Sequence, residues 1–288
     1  MTKMKRHRLG QVAILSISLL LSGCTTPEAV QKFTTLAADA SAKVPIVFRD
    51  LSASCVRKEL ADRPAEEIED IREKIATTTC KLSTEDETRL LGALSVLTGY
   101  MNALNQLASN DVVSYDTQID SFASSVQSAG NFNDSQVTAV KGLAKFLADA
   151  AASGYQRKKL VSSIKSADKD VATLCKFLGD TIGIDYVREL NVEQESVRDR
   201  YKNAILADSP GNRGPNVLIQ DRWRNDLQKF ADRKRAAADA QNLLKEISDG
   251  HHVLAAQADH WSAKELYKDL GPYSASIQTL ISDFQTAF

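Results

Sequence analysis

The fold is decided by residues 84–108, TEDETRLLGALSVLTGYMNALNQLA. Apolar residues recur there at intervals of three and four: Leu90, Leu94, Leu97, Met101, Leu104 and Ala108. This spacing places them on one face of a helix of about five turns. Thr84, three residues before Glu87, predicts a capping box at its start, and Ser109-Asn110-Asp111 predicts its end. The stretch therefore indicates a long helix packed within a bundle.

Further segments carry the same helical spacing, and no stretch shows a sustained period of two. The clearest seams are Val137/Val140/Ala144/Leu147/Ala151, Val171/Leu174/Leu178/Ile182 and Ala237/Ala240/Leu244/Ile247. Residues that break helices predict the bounds of the remaining helices. One covers about 27–60, with a kink or break at Pro45, and another starts at Pro64. The rest lie at about 116–128, 134–165, 168–206, 216–248, 251–270 and 273–286. We predict an all-α fold, an antiparallel bundle of about seven to nine long helices.

The strongest loop signal is residues 208–215, DSPGNRGP, with two Pro and two Gly in eight residues. We interpret 28–288 as a single helical domain, with a subdomain boundary at 208–215 as the alternative.

The N-terminus has the layout of an export signal. Lys3, Lys5, Arg6 and Arg8 precede an apolar run over 12–21, which ends in Leu21-Ser22-Gly23-Cys24. The run is shorter than the roughly 20 apolar residues of a membrane-spanning helix. The final tetrapeptide resembles the lipobox of bacterial lipoproteins, and the resemblance covers residues 1–24. It implies removal of 1–23 as a signal peptide, a diacylglycerol thioether on Cys24, and a further fatty acyl chain such as palmitate on the new amine.

This resemblance also implies a place for the protein. Residues 24–27 form a short tether, because only Thr25 and Thr26 separate Cys24 from Pro27. An extended chain of that length reaches roughly 10 Å, so we expect the domain to lie close to the bilayer. An Asp directly after the lipidated cysteine favours the inner membrane in enteric-type bacteria. Its absence favours the outer membrane, facing the periplasm, in a Gram-negative host.

The charge balance excludes one class of partner. Cleavage before Cys24 removes four of the 36 basic residues and leaves 32 against 37 acidic ones, a net charge of about −5. Nucleic acids bind clustered positive surfaces, so the sequence predicts no nucleic-acid partner.

Three cysteines remain beyond the tether. Cys55 and Cys80 are the natural disulfide pair, but two straight antiparallel helices would hold them too far apart. The bond requires the intervening helix to end near Ala76, with Thr77-Thr78-Thr79 doubling back, and we predict this arrangement. Cys175, beside Leu174 on an apolar face, is predicted to be a buried free thiol.

Three histidines, His251, His252 and His260, cluster near the C-terminus and are weak candidates for metal ligands. Ligands on one helix share an ion at spacings of three or four, which these residues lack. We expect Asp249-Gly250 to start a helix whose imidazoles are at the surface or partly packed, and we predict no cofactor.

No pattern typical of a nucleophilic active site is present. The carboxylates Glu193, Glu195 and Asp199, and the basic cluster Arg233-Lys234-Arg235, are interpreted as solvated helix faces. The alternative for the basic cluster is a contact with lipid headgroups or an acidic partner.

The sequence therefore favours a lipid-anchored, non-enzymatic envelope protein that binds a protein partner through residues it does not identify. One alternative is an inhibitor or immunity lipoprotein that blocks a lytic enzyme or toxin. A lesser alternative is a metal-dependent hydrolase that uses His251, His252 or His260.

Overall fold

A computed structural model describes residues 26–61, 63, 68–109, 111–113, 117–126, 132–152, 157–206, 213–259 and 262–284. Every regular element in these ranges is helical, which confirms the all-α prediction. The elements are α1 (Thr26–Ser41), α2 (Pro45–Leu60), α3 (Ile68–Thr77), α4 (Lys81–Ala108), α5 (Thr117–Ser125), α6 (Asp134–Ala152), α7 (Arg157–Asp180), a π segment (Thr181–Tyr186), α8 (Val187–Leu206), α9 (Arg213–Ala256) and α10 (Ala263–Phe284). The predicted lipobox, including Cys24, lies outside the described residues. None of the helices described is long and apolar enough to span a membrane.

The α4 seam is buried within the bundle, as predicted. Leu94, Leu97, Met101 and Leu104 are at most 2% exposed. The helix ends at its C-cap Ser109, as expected, but it begins at Lys81, so the capping-box prediction for Thr84 is wrong. The Thr84 hydroxyl donates to the carbonyl of Cys80 one turn back, because the chain is already helical there.

Pro45 breaks the first predicted helix into two. α1 ends at Ser41, and Pro45 occupies the first turn of α2, where its missing N–H has no helical acceptor to serve. α1 packs between α4 and α10 and also contacts α9. Its inward face is fully buried: Ala29, Val30, Phe33, Ala37 and Ala40.

One continuous helical segment consists of α7, the π segment and α8, and it runs antiparallel to α9. Lys165 bonds Asp259 just beyond the end of α9, a Cβ at Gly183 would meet Gln241, and the Tyr201 hydroxyl donates to Asp226. The boundary predicted between residues 165 and 168 is therefore wrong, since both lie inside α7. α2 runs parallel to α8, because Asp50 contacts Tyr186, Ser54 contacts Glu193, and the carbonyl of Ala61 contacts Arg200.

Two predicted helix breaks near the C-terminus are wrong as well. Gly250 lies inside α9, and Pro272 lies inside α10. A Cβ at position 250 would lie 2.3 Å from Cε2 of Phe33, so the glycine allows α1 to approach α9 closely. Lys268, whose carbonyl would pair with an N–H at position 272, is exposed. A lost helix hydrogen bond costs least on such a solvated side.

The predicted Cys55–Cys80 disulfide is confirmed, with the two Cα atoms 5.9 Å apart. Its predicted cause is confirmed too, because α3 ends at Thr77 and Thr78–Cys80 form a turn before α4. A structural disulfide indicates an oxidising compartment outside the cytoplasm. Cys175 is a buried free thiol, as predicted.

Candidate functional site

A buried group of charges joins α2, α8 and α9. Glu193 on α8 is only 2% exposed. Its carboxylate accepts hydrogen bonds from Ser54 Oγ at 2.6 Å, Arg57 Nε at 2.7 Å and Arg233 Nη1 at 3.0 Å. The interpretation of Glu193 and Arg233 as solvated residues is therefore wrong, because α8 is covered on this side by both neighbouring helices.

Asp50 on α2 completes this group. Its carboxylate lies 2.9 Å from Arg57 Nη1 and 3.4 Å from Arg233 Nη1, and it accepts a hydrogen bond from the Tyr186 hydroxyl at 2.6 Å. Burial and the charge of Asp50 raise the pKa of Tyr186, so its hydroxyl stays protonated and donates. Burial alone would lower the pKa of Arg57, but its bonds to Glu193 and the charge of Asp50 raise it. Two carboxylates and two guanidinium groups thus balance inside the bundle.

A signal for this group was present in the sequence. Tyr186, Leu190, Glu193 and Val197 follow the four-three-four spacing of a buried seam, and all four are buried. A carboxylate on such a seam needs partners from the facing helices. Ser54 and Arg57 supply them from a helix far away in the sequence, so the spacing alone does not identify them.

Outward from the balanced group, the surface opens into a cleft of about 410 Å³. Its floor is apolar and consists of Val56, Leu60, Ala61, Val197 and Phe230. Its charged lining has five basic residues, Arg57, Arg72, Arg200, Lys229 and Arg233, against the two acidic residues Glu193 and Asp226. Asp50, next to this lining, neutralises one more charge of Arg57 and Arg233, so an excess of two positive charges remains, in a protein whose overall net charge is −1. We call this surface the basic cleft.

The basic residues of the cleft differ in how far they are already neutralised. Arg57 and Arg233 face the buried carboxylates, and Lys229 Nζ lies 3.0 Å from Asp226 Oδ1. Burial would raise the pKa of Asp226, but hydrogen bonds from Tyr201 and Lys229 outweigh it and the pKa is lowered. Asp226 therefore remains a carboxylate and holds Lys229.

Arg72 and Arg200 are the two arginines left over. Both are exposed, and among the side chains that the structure describes neither forms an ion pair, although the charge of Arg200 contributes to the lowered pKa of Asp226. Arg200 Nη1 reaches the carbonyl of Ala61 at only 3.5 Å, and its guanidinium lies 5.1 Å from the centre of the Tyr201 ring. These two guanidinium groups are available to an anion that enters the cleft.

The disulfide holds one wall of the basic cleft in place. Arg72 lies on α3, which packs against α2 and α4. Cys80, at the end of the α3 turn, is bonded to Cys55, the residue before Val56 of the cleft floor. Ile71, Ile75, Val56 and Leu60 pack around the bond as a cluster separate from the main core. The cross-link therefore fixes Arg72 relative to the floor.

The histidines predicted as weak metal candidates are divided by the structure. His251 is fully buried, with Nε2 2.8 Å from the Tyr100 hydroxyl and Nδ1 3.2 Å from Asp168 Oδ1. The expectation of a surface or partly packed ring is wrong for His251, because α9 continues through Gly250 and turns it inward. His252 is exposed and contacts Asp168 Oδ2 at 2.8 Å. His260 lies outside the described residues.

The Tyr100–His251–Asp168 chain ties α4, α9 and α7 together. Burial lowers the pKa of His251, although the Asp168 carboxylate acts in the opposite direction. The hydrogen bond from His251 lowers the pKa of Asp168. A neutral ring that donates from Nδ1 and accepts at Nε2 satisfies both contacts. Across the described residues, no group of three or more His, Cys, Asp and Glu side chains is arranged to hold a metal ion.

Burial raises the pKa of the Cys175 thiol well above its ordinary value, which keeps it protonated and unreactive.

Comparison with known proteins adds no candidate: no family model, no curated protein and no solved structure matches this chain.

Proposed function

We propose that this protein is a lipid-anchored envelope protein whose helical domain is held close to a membrane and binds a protein partner there, without catalysis. The anchor is the lipid on Cys24 that the lipobox resemblance implies, and the outer membrane is its site in a Gram-negative host. The disulfide supports an environment outside the cytoplasm.

The position of α1 is the observation that carries this proposal. α1 begins at Thr26, so Thr25 alone lies between Cys24 and the first helical residue. The helix is not a loose extension, because Ala29 is 3% exposed, Val30 1% and Phe33 0%. Unwinding it would expose these side chains, at about 1.5–3 kcal/mol for each large one. The tether between Cys24 and the folded domain therefore stays short, and the lipid holds the domain directly at the membrane.

A short tether keeps the domain at a fixed place next to the membrane, which suits a protein that works by binding a partner there. The buried polar groups around Glu193 are hydrogen-bonded among themselves, and so are those around His251. Both sets hold neighbouring helices together. Candidate contact surfaces lie elsewhere. The basic cleft is one, and the end of the α8–α9 hairpin is another, because Leu206, Val217 and Leu218 there are 71%, 55% and 67% exposed.

The test uses the protein in the cells that produce it. A photo-reactive residue replaces Leu218 in the wild-type chain, in a Cys24→Ser variant, and in a variant with a Gly/Ser spacer of about 20 residues between Thr25 and Thr26. Such a spacer adds roughly 25 Å of flexible reach.

We expect the wild type in the membrane fraction with a crosslinked protein partner, and the Cys24→Ser variant released from the membrane. The spacer variant should stay in the membrane but lose most of the crosslinked product. Equal membrane binding of the Cys24→Ser variant would contradict the anchor. A domain that crosslinks to nothing, yet turns over an envelope substrate, would contradict the binding role.

A further inference from the structure

We propose that the basic cleft binds a short acidic peptide segment, with carboxylates on Arg72 and Arg200 and an apolar side chain on the cleft floor. This inference rests on the partner-binding role proposed above and specifies the chemistry of the ligand. It concerns a surface made by α2, α3, α8 and α9.

The charges of the cleft select a carboxylate ligand. Arg72 and Arg200 line the cleft from two different helices, α3 and α8, and are exposed. Guanidinium groups present a planar fork of donors that matches a carboxylate and binds it through two parallel hydrogen bonds. Lys229, on α9, adds a third cation that is only partly neutralised by Asp226. The cleft thus offers separate positions to two carboxylates.

The floor selects an apolar group between those carboxylates. Phe230 is 2% exposed and Val197 8%, and they close the bottom of the cleft below the charged rim. A volume of about 410 Å³ admits a few side chains, not a whole helix or domain. A segment in which acidic and apolar residues alternate fits both the rim and the floor.

The charge of the whole protein favours a short segment over an extended polyanion. With 37 acidic against 36 basic residues, the chain has no overall attraction for a nucleic acid or an anionic lipid surface. The basic cleft, in contrast, has more basic than acidic residues in its lining. A peptide that enters the cleft meets its excess of positive charge, whereas a broad anionic surface also meets the acidic residues around it.

The disulfide makes this site dependent on an oxidising environment. Arg72 is positioned by α3, and α3 is joined to the floor through Cys80 and Cys55. Reduction removes the covalent link but leaves the core around α4 untouched, because the two clusters are separate. We expect reduction to weaken peptide binding while most of the helical content remains.

The test measures the fluorescence anisotropy of a fluorescein-labelled peptide of alternating Glu and Leu residues, added to the full protein purified from its cells. The control peptide carries Gln in place of Glu. Arg72→Gln and Arg200→Gln are the cleft variants. Arg198→Gln is the matched control, because Arg198 is also an exposed arginine of α8 but does not line the cleft. Circular dichroism confirms that each variant keeps its helices.

We expect each cleft variant to weaken binding of the Glu/Leu peptide about tenfold, and the control variant to leave it unchanged. Added salt and the Gln peptide should also lower binding. Wild-type affinity in both cleft variants, or equal binding of the Gln peptide, would overturn the inference. So would absent peptide binding, whether or not phosphatidylglycerol vesicles bind through the same arginines.

The in-cell crosslinking separates this inference from the proposed function. A partner captured at Leu218 by a protein that does not bind the Glu/Leu peptide contradicts only the cleft ligand. Peptide binding by a protein that is not anchored contradicts only the membrane role.

Discussion

Gly250→Ala tests whether α1 is built into the core, because the added methyl group enters the space of the Phe33 ring. The new Cβ would lie 2.3 Å from Cε2 and 2.7 Å from Cζ of Phe33, whereas carbon atoms in contact lie about 3.5–4.0 Å apart. The ring has to move by more than 1 Å, roughly, and Phe33 is fully buried. Overpacking of this kind costs about 1–3 kcal/mol, and the better helix propensity of Ala returns up to about 1 kcal/mol.

We therefore expect the free energy of unfolding to fall by up to about 2 kcal/mol, with a Tm lower by up to roughly 8 °C. Urea and thermal denaturation followed by circular dichroism measure both quantities. Gly179→Ala is the matched control, since it lies inside α7 and its Cβ would meet Gln241 Cγ at an ordinary 3.7 Å. That variant should be stabilised by about 0.5–1 kcal/mol.

A second substitution shows whether Phe33 is the cause. Phe33→Leu alone should destabilise the protein, but it should cost less when Gly250→Ala is already present, because the smaller side chain relieves the clash. If Gly250→Ala stabilises the protein as much as Gly179→Ala does, α1 does not pack closely on α9. α1 could then unwind and lengthen the tether between Cys24 and the folded domain.

Three further perturbations test the disulfide, the buried charges and the buried histidine. Replacing Cys55 and Cys80 by Ser should lower the free energy of unfolding by about 3.5 kcal/mol, the entropy expected for a cross-link over 25 residues; unchanged urea denaturation would contradict this. Glu193→Gln should cost about 3 kcal/mol, because Arg57 and Arg233 lose a buried counter-charge, whereas Glu189→Gln, at the half-buried pair with Lys58, should cost less than about 1 kcal/mol. Equal costs in urea denaturation would refute that distinction. Because the pKa of His251 is lowered in the folded protein, the unfolded chain binds more protons than the folded one at pH values just below the ordinary pKa of 6.5. The free energy of unfolding should therefore be highest at about pH 7.5 and fall towards about pH 5.5. His251→Gln should flatten this dependence and His252→Gln should not; parallel curves for the wild type and His251→Gln would contradict the assignment.

The features that the sequence predicted well are those with a local physical cause. The seam of α4 repeats apolar residues on one face, so its burial follows from spacing alone. Pro45 lacks the N–H that a helix interior needs, so the break before it was predictable. The Thr77–Thr79 run favours neither helix nor a long loop, and the turn there brings Cys80 back to Cys55.

The wrong predictions concern residues whose local preference is overridden by packing. Gly250 breaks isolated helices, but here it lets Phe33 approach α9, and that contact stabilises a continuous helix. Pro272 is tolerated inside α10 because the neighbouring turn at Lys268 is exposed. Phe33, which Gly250 accommodates, lies on a distant part of the chain, and the exposure of Lys268 depends on how α10 packs in the bundle.

The candidate site could be predicted only in part. Glu193 lies on an apolar seam, which marks it as a buried carboxylate in need of partners. The basic cleft has no such signal, because Arg72 and Arg200 are brought together by the pairing of α2 with α8 and by the disulfide. From the sequence, the alternative of an acidic partner concerns the basic cluster Arg233-Lys234-Arg235. In the structure, the guanidinium of Arg233 instead pairs with Glu193 and Asp50.

The mass of the intact protein extracted from its cells tests the membrane anchor most directly. We expect a chain that begins at Cys24 and carries the added mass of a diacylglycerol group, with or without a further acyl chain on its amine. A chain with an unmodified Cys24 sulfur, or one that retains residues 1–23, would contradict it.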